Sequence, residues 1–135
     1  MFEFSYISVN DDIPAIPVAT VIIGNPENPS ISFTSDFGII DTGSDITAIS
    51  FTFISKLQLR PLPFKDLPSI NIMGYQVSSI PYLINFSFGQ NTKTLEKIFA
   101  VPDHVIKDEI IIGRNILNLY EIQLDARNGV FRISL

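Results

Sequence analysis

Apolar and polar residues alternate in short runs along most of the chain, and Pro, Gly, Asn and Asp interrupt the runs from end to end. That is the pattern of an all-β domain with many brief strands. "FEFSYISV" sets Phe2, Phe4 and Tyr6 against polar partners, and "VATVII" follows Pro14 and Pro17, which suit a sheet edge or a strand start. "GNPENPS" is a turn by composition, with "ISF" and "FGII" as the next strands. "SFTFISKLQLR" predicts a helix: Ser50 can cap it, Phe53, Ile54 and Leu57 share one face, and Pro61 stops it soon after Arg60.

"LPSINIMGYQVSSIPYLINFSFGQ" reads as a hairpin whose second arm places Tyr82, Ile84, Phe86 and Phe88 on one face. Gly74 is best able to take the positive φ of a tight tip. "KIFAV" is a strand ended by Pro102, and "EIIIG" has no alternation, so it is buried on both faces. "RNILNLY" has helical spacing at Ile116, Leu117 and Tyr120, and "EIQLD" and "VFRISL" form a last hairpin around Asn128 and Gly129. No repeat, linker or low-complexity segment appears, so residues 1–135 are expected to form one domain.

Composition narrows the classes of function. Charged residues make up 17% of the chain and hydrophobic ones 46%, which suggests apolar surface beyond one small core, such as a subunit interface. The formal charge of −5 leaves no electrostatic footprint for nucleic acid or anionic lipid. There is no cysteine, hence no disulfide, thiolate zinc site or Cys nucleophile. The most apolar stretch, "IPAIPVATVIIG", is broken by two prolines and falls short of the roughly 18 residues a spanning helix needs. Glu3, Asp11 and Asp12 stand where a signal peptide would be basic. The expectation is a soluble, cytoplasmic protein without membrane or nucleic-acid partners. His104 is the sole histidine, so metal sites and Ser/His triads have little support, and a solvent-exposed loop position is expected for it.

Candidate chemistry concentrates in "GIIDTGSDITAIS" at residues 38 to 50. Ile39 and Ile40 anchor a core strand, and Asp41 follows them directly. Gly43 allows a turn tight enough for its amide to face the carboxylate, and Thr42 adds a hydroxyl that both donates and accepts. Read alone, the segment also fits a strand-end turn in which Asp41 bonds only its own backbone. About seventy residues downstream, "EIIIGRN" places apolar residues before Gly113, Arg114 and Asn115 at the start of a short helix.

With "GIIDTGSDIT", "EIIIGRNIL" and an apolar hairpin between them in that order, the chain resembles the retroviral-type (retropepsin-like) single-domain aspartic proteases. The resemblance implies a closed all-β barrel with one or two short helices, forming a two-fold dimer. It implies that Asp41 is the catalytic aspartate, with Thr42 reaching toward the matching loop of the other subunit and Gly43 meeting substrate through its backbone. Asp45 would lie on the substrate rim and pair with Arg114. Ser44 and the flap residues Met73, Gly74 and Tyr75 would also face substrate, while Gly113, Arg114 and Asn115 pack beneath the loop. Tyr75 either bonds toward the site or is a packed aromatic; packing is the reading preferred here.

Peptide hydrolysis of this kind uses two carboxyl groups that share one proton. The chain carries one Asp-Thr-Gly, so the second carboxylate is expected from a second copy on a two-fold axis. "MFEFSYIS" and "VFRISL" are the candidate interface strands, since termini often interleave in this family. The expected function is an aspartic endopeptidase acting on extended polypeptides as a homodimer, with no cofactor and no metal. The alternative is a non-catalytic retropepsin-like dimerisation or peptide-binding module. Ser44 stands where many viral enzymes carry Ala; a hydroxyl donating to the catalytic carboxylate would lower its pKa, favouring an acidic optimum.

Overall fold

A computed structural model describes residues 1–63, 66, 69–72, 75–89 and 93–134. In chain order the strands and helices are β1 (Phe2–Ile7), β2 (Ile16–Gly24), β3 (Ser32–Ile40), β4 (Ala48–Ser50), α1 (Phe51–Leu57), β5 (Ser69–Ile72) and β6 (Tyr75–Ser78). They continue with β7 (Pro81–Phe88), β8 (Thr94–Val101), β9 (Ile110–Ile112), α2 (Arg114–Leu117), β10 (Glu121–Asp125) and β11 (Val130–Ser134).

The main sheet runs β10-β11-β1-β2-β3-β9-β4-β8-β7, and β7 pairs back onto β2. Six strands, β2, β3, β9, β4, β8 and β7, thereby close a barrel, as the sequence led us to expect. Strand β2 is long enough to serve three neighbours: β1 at Ile16 and Pro17, β3 along most of its length, and β7 from Val21 onward. A register shift between Ala19 and Val21 gives it the bend that closure requires. The barrel is filled by side chains such as Ile23, Ile49, Ile84, Phe86, Phe88, Ile98, Ile110 and Ile112, all fully buried. Each contributes about 1.5–3 kcal/mol relative to an exposed position.

The unalternating run of β9 is buried throughout, and β9 lies parallel to β3, with Ile39 beside Ile111 and Ile40 beside Ile112. Parallel neighbours present their C-terminal ends at the same edge, so the segments after Ile40 and after Ile112 emerge side by side. This juxtaposition positions the site.

Two expectations change. The predicted hairpin is shorter than expected: β5 pairs with β6 only as far as Ser69 opposite Ser78, and β7 instead joins the barrel between β8 and β2. Its face of Tyr82, Ile84, Phe86 and Phe88 is buried as predicted, but that much apolar surface needs a barrel to cover it rather than a lone hairpin. Helix α1 ends at Leu57 rather than near Arg60. Gln58 adopts φ 55, and the buried Asn25 side chain donates to the carbonyls of Leu57 and Gln58 at 2.9 and 3.2 Å. The predicted Ser50 cap is present, its hydroxyl accepting from Phe53 N–H. β1 and β11 pair with each other; β11 also pairs with β10 along its length, whereas β1 meets β2 only at Tyr6 and Ile7, so among the described residues the other edge of Phe2–Ser5 has no strand neighbour. Among the described residues no helix is long and apolar enough to cross a membrane.

Candidate active site

Asp41 leaves the barrel where β3 ends, and its N–H donates to the Ile112 carbonyl at 3.0 Å, the last rung between the two parallel strands. The chain then turns sharply, with Ser44 N–H donating to the Asp41 carbonyl at 3.2 Å. Within this turn the Gly43 amide donates to Asp41 Oδ1 at 3.0 Å and orients the carboxylate. A side chain at Gly43 would place its Cβ 3.3 Å from that oxygen, so glycine keeps the approach uncrowded. The half-buried Asp41 is thus aimed by the turn, while Thr42 and Gly43 are exposed beside it.

The segment after β9 holds this loop from below. An ideal Cβ on Gly113 would lie 2.0 Å from the Ile46 carbonyl oxygen and 2.4 Å from its carbon, a separation that only glycine permits. Gly113 N–H donates to the Thr47 hydroxyl at 3.1 Å, and that hydroxyl donates to Asn115 Oδ1 at 2.8 Å. Asn115 passes the connection on through its side-chain amide to the Lys97 carbonyl at 2.9 Å. Thr47 is fully buried, so its hydroxyl has no water to fall back on, and losing either partner would cost about 1–3 kcal/mol.

Arg114 grips the loop in three places. Its N–H donates to the Ser44 carbonyl at 2.8 Å, its Nη1 donates to the Thr42 carbonyl at 3.2 Å, and its Nη2 pairs with Asp45. The predicted Asp45–Arg114 pair therefore forms. Its side chains are 79% and 46% exposed, and the guanidinium fork is shared between a carboxylate and a carbonyl instead of being bidentate on Asp45. As an ion pair it is worth at most about 1 kcal/mol; its larger effect is to fix the shape of the loop.

Ser44 does not act as anticipated. Its hydroxyl donates to the Ile46 carbonyl at 2.7 Å, so its proton is already engaged within the loop and is not offered to Asp41. The postulated lowering of the carboxylate pKa by Ser44 loses its geometric basis.

A cleft of about 600 Å³ opens above the loop, lined by Asp41, Gly43, Ser44, Asp45, Ile46 and Ile111 on the barrel side and by Ser69, Ile70 and Ile72 of the hairpin. It is an acidic floor walled by isoleucine. The expected Met73 and Gly74 lie outside the described residues. Tyr75 stands apart from the cleft lining: it is half exposed, and its ring packs edge-on against that of His104, centroids 6.0 Å apart. His104 is exposed in the loop after β8. The sequence reading missed the cleft walls Ile46, Ile70, Ile72 and Ile111 and the brace through Thr47. The alternation in "SINI" was the available signal for Ile70 and Ile72.

No protein-family model and no curated relative matches the sequence. Among solved structures, EIAV protease in complex with the inhibitor HBY-793 is similar at 18% identity and a TM-score of 0.49, over 83% of this chain and 92% of that one. A retropepsin-like aspartic protease from Rickettsia conorii is similar at 17% identity and a TM-score of 0.53, over 96% of this chain and 88% of that one. The second superposition spans nearly all the elements described above. The chain has the fold of the retropepsin-like aspartic proteases.

Proposed function

We propose that the protein is an aspartic endopeptidase, active as a homodimer in which Asp41 of each subunit meets its copy. The observation that carries the reading is Asp41 itself, held by the Gly43 amide at the floor of an isoleucine-walled cleft. Asp45, the other carboxylate lining that cleft, is already engaged by Arg114, so the second reactive carboxylate comes from another copy. Two carboxylates in contact hold one proton between them and titrate as a pair. The ionised member takes a proton from water as the water attacks the scissile carbonyl carbon. The protonated member donates to the carbonyl oxygen as it becomes tetrahedral. Extended peptides fit the cleft through main-chain hydrogen bonds, with apolar side chains against Ile46, Ile70, Ile72 and Ile111. The exposed Thr42 and Gly43 meet the partner's loop and the substrate.

Asp41→Asn tests the assignment. It keeps the side-chain oxygen that accepts from Gly43 but cannot act as a base. Cleavage of a mixed peptide library between about pH 3 and 7 is expected to fall at least about 10³-fold with an unchanged thermal transition. Wild-type turnover in the variant would refute the role. A wild-type chain that cleaves nothing and binds no pepstatin-type inhibitor would leave the peptide-binding module as the function.

A further inference from the structure

The outer face of β7 and β8 carries a second groove, of about 370 Å³. Four leucines line it: Leu83 of β7, Leu95 of β8, and Leu59 and Leu62 of the segment after α1. Leu95 is 56% exposed there, on the side of β8 turned away from the barrel core. The groove is preformed. On one side Asn25 donates to the carbonyls of Leu57 and Gln58 at 2.9 and 3.2 Å. On the other, Leu62 N–H donates to the Pro81 carbonyl at 2.8 Å, and Pro61 bridges to Tyr82. Pro61 and Pro63 stiffen the segment that carries this wall. A wall tied at both ends takes up a ligand with little ordering cost.

The groove's charge opposes that of the chain. Over the whole protein 14 Asp and Glu outnumber 9 Lys and Arg, whereas basic side chains prevail around the leucines. Alternation buries Ile98 and half-buries Thr94 and Glu96, and it leaves Lys93, Leu95 and Lys97 exposed on the outer face. Lys97 lies opposite Leu83 in the register of β7 and β8. Lys93 lines a small pocket that adjoins the groove through Asn25, and Arg60 stands on the opposite wall. Glu27 is the one acidic residue lining the groove among the described residues. Its contact with Arg60 is 3.9 Å long between two largely exposed side chains, so it leaves the guanidinium available to a ligand.

Spacing defines the form of that ligand. Lys93, Leu95 and Lys97 recur at every second residue, about 6.6 Å apart, which is also the repeat along one side of an extended peptide. We infer that the groove is a docking site for an extended acidic segment of a partner polypeptide, in which carboxylates stand two residues to either side of a leucine. The leucine enters among Leu59, Leu62, Leu83 and Leu95, and the carboxylates meet Lys93 and Lys97, with Arg60 across the groove. Nucleic acid brings the negative charge without the apolar anchor. No residue of this groove lines the Asp41 cleft, so docking here is independent of the proteolytic reading.

The probe is a fluorescein-labelled peptide with the core Glu-Ser-Leu-Ser-Glu, titrated by anisotropy with the full Asp41→Asn chain so that cleavage does not intervene. Binding is expected, and it should weaken as salt rises, because the charges are exposed. The double variant Lys93→Glu/Lys97→Glu and the single variant Leu95→Asp are each expected to bind at least about tenfold more weakly. All three positions are exposed, so the thermal transition should stay unchanged. A peptide with serine in place of its leucine, or with lysines in place of both glutamates, should lose at least about as much. Absence of binding by the first peptide, or undiminished binding in the two variants, overturns the docking site and leaves the protease reading intact. A single-stranded oligonucleotide that displaces the peptide and binds more tightly overturns the choice of a polypeptide partner.

Discussion

The loop at residues 41–47 and the hairpin of β5 and β6 line the same cleft, but they are secured in different ways. The loop is bonded to the barrel at almost every residue: Asp41 to Ile112, Thr42, Ser44 and Asp45 to Arg114, and Thr47 to Gly113 and Asn115. The two hairpin strands hydrogen-bond to each other as a separate sheet. The hairpin rests on the molecule through Ile70, Ile72 and Val77, packed with Val101, Val105, Ile106 and Ile111 in a small second cluster, and through the edge-on contact of Tyr75 with His104. Hydrogen bonds fix direction and apolar contacts do not. The contrast therefore separates a rigid wall that aims the Asp41 carboxylate from a wall set on apolar packing.

The largest expected effect comes from forcing the rigid wall apart. Gly113→Ala puts a methyl group inside the van der Waals shell of the Ile46 backbone, where no flexible side chain can yield. We expect destabilisation of about 3 kcal/mol or more by urea unfolding. A loss below about 1 kcal/mol would mean that the loop can shift as a body, and the contrast with the hairpin would disappear.

A matched pair of truncations compares the two walls directly. Ile49 in β4 and Ile72 in β5 are both buried isoleucines, but Ile49 belongs to the barrel core and Ile72 to the small cluster. Ile49→Ala is expected to cost about 2–5 kcal/mol of global stability. Ile72→Ala is expected to cost about 1 kcal/mol or less, because undocking of the hairpin limits the penalty. It should accelerate amide exchange in residues 69–72 and 75–78 and leave β2 and β9 protected. Equal costs would show that hairpin and barrel unfold together.

The same division explains what could be read from the sequence. The loop at Asp41 was legible because its geometry is local: Asp41 and Gly43 stand two residues apart, and the bond between them needs nothing else. The burial of β9 followed from its unbroken isoleucines, and the Ser50 cap from its place before a helical run. The parallel pairing of β3 with β9, the return of β7 to β2 and the reach of Asn25 to the end of α1 were not legible. Each joins residues more than thirty apart, and the side chains involved fit several partners equally well. The mistaken second arm of the hairpin has the same origin. Tyr82, Ile84, Phe86 and Phe88 announce a buried face but do not say which strands will cover it. Thr47 and Asn115, 68 residues apart, form a brace that only the assembled barrel brings together.

The smallest effect concerns the loop after β8, which touches both regions. His104 in this loop meets the hairpin, and its neighbour Asp103 is bound to the barrel at the start of α1. Asp103 accepts from the Thr52 hydroxyl and from Thr52 N–H, the latter at 3.2 Å. These bonds hold its carboxyl below the usual aspartate range, the hydroxyl being the larger cause, with Lys107 adding to the effect. A carboxyl whose pKa is lowered by folding favours the folded state above its unfolded value, near 4, and withdraws that support as pH falls through the lowered folded value. Asp103→Asn should therefore show a smaller drop in unfolding midpoint than wild type between pH 7 and about pH 3, with little difference between the two proteins at the acid end. Asp125, lowered chiefly by Asn128, serves as the internal comparison because it titrates in both proteins. If the two pH profiles coincide, Asp103 does not anchor this loop to α1, and the His104 end of the loop would be no better tied to the barrel than the hairpin that leans on it.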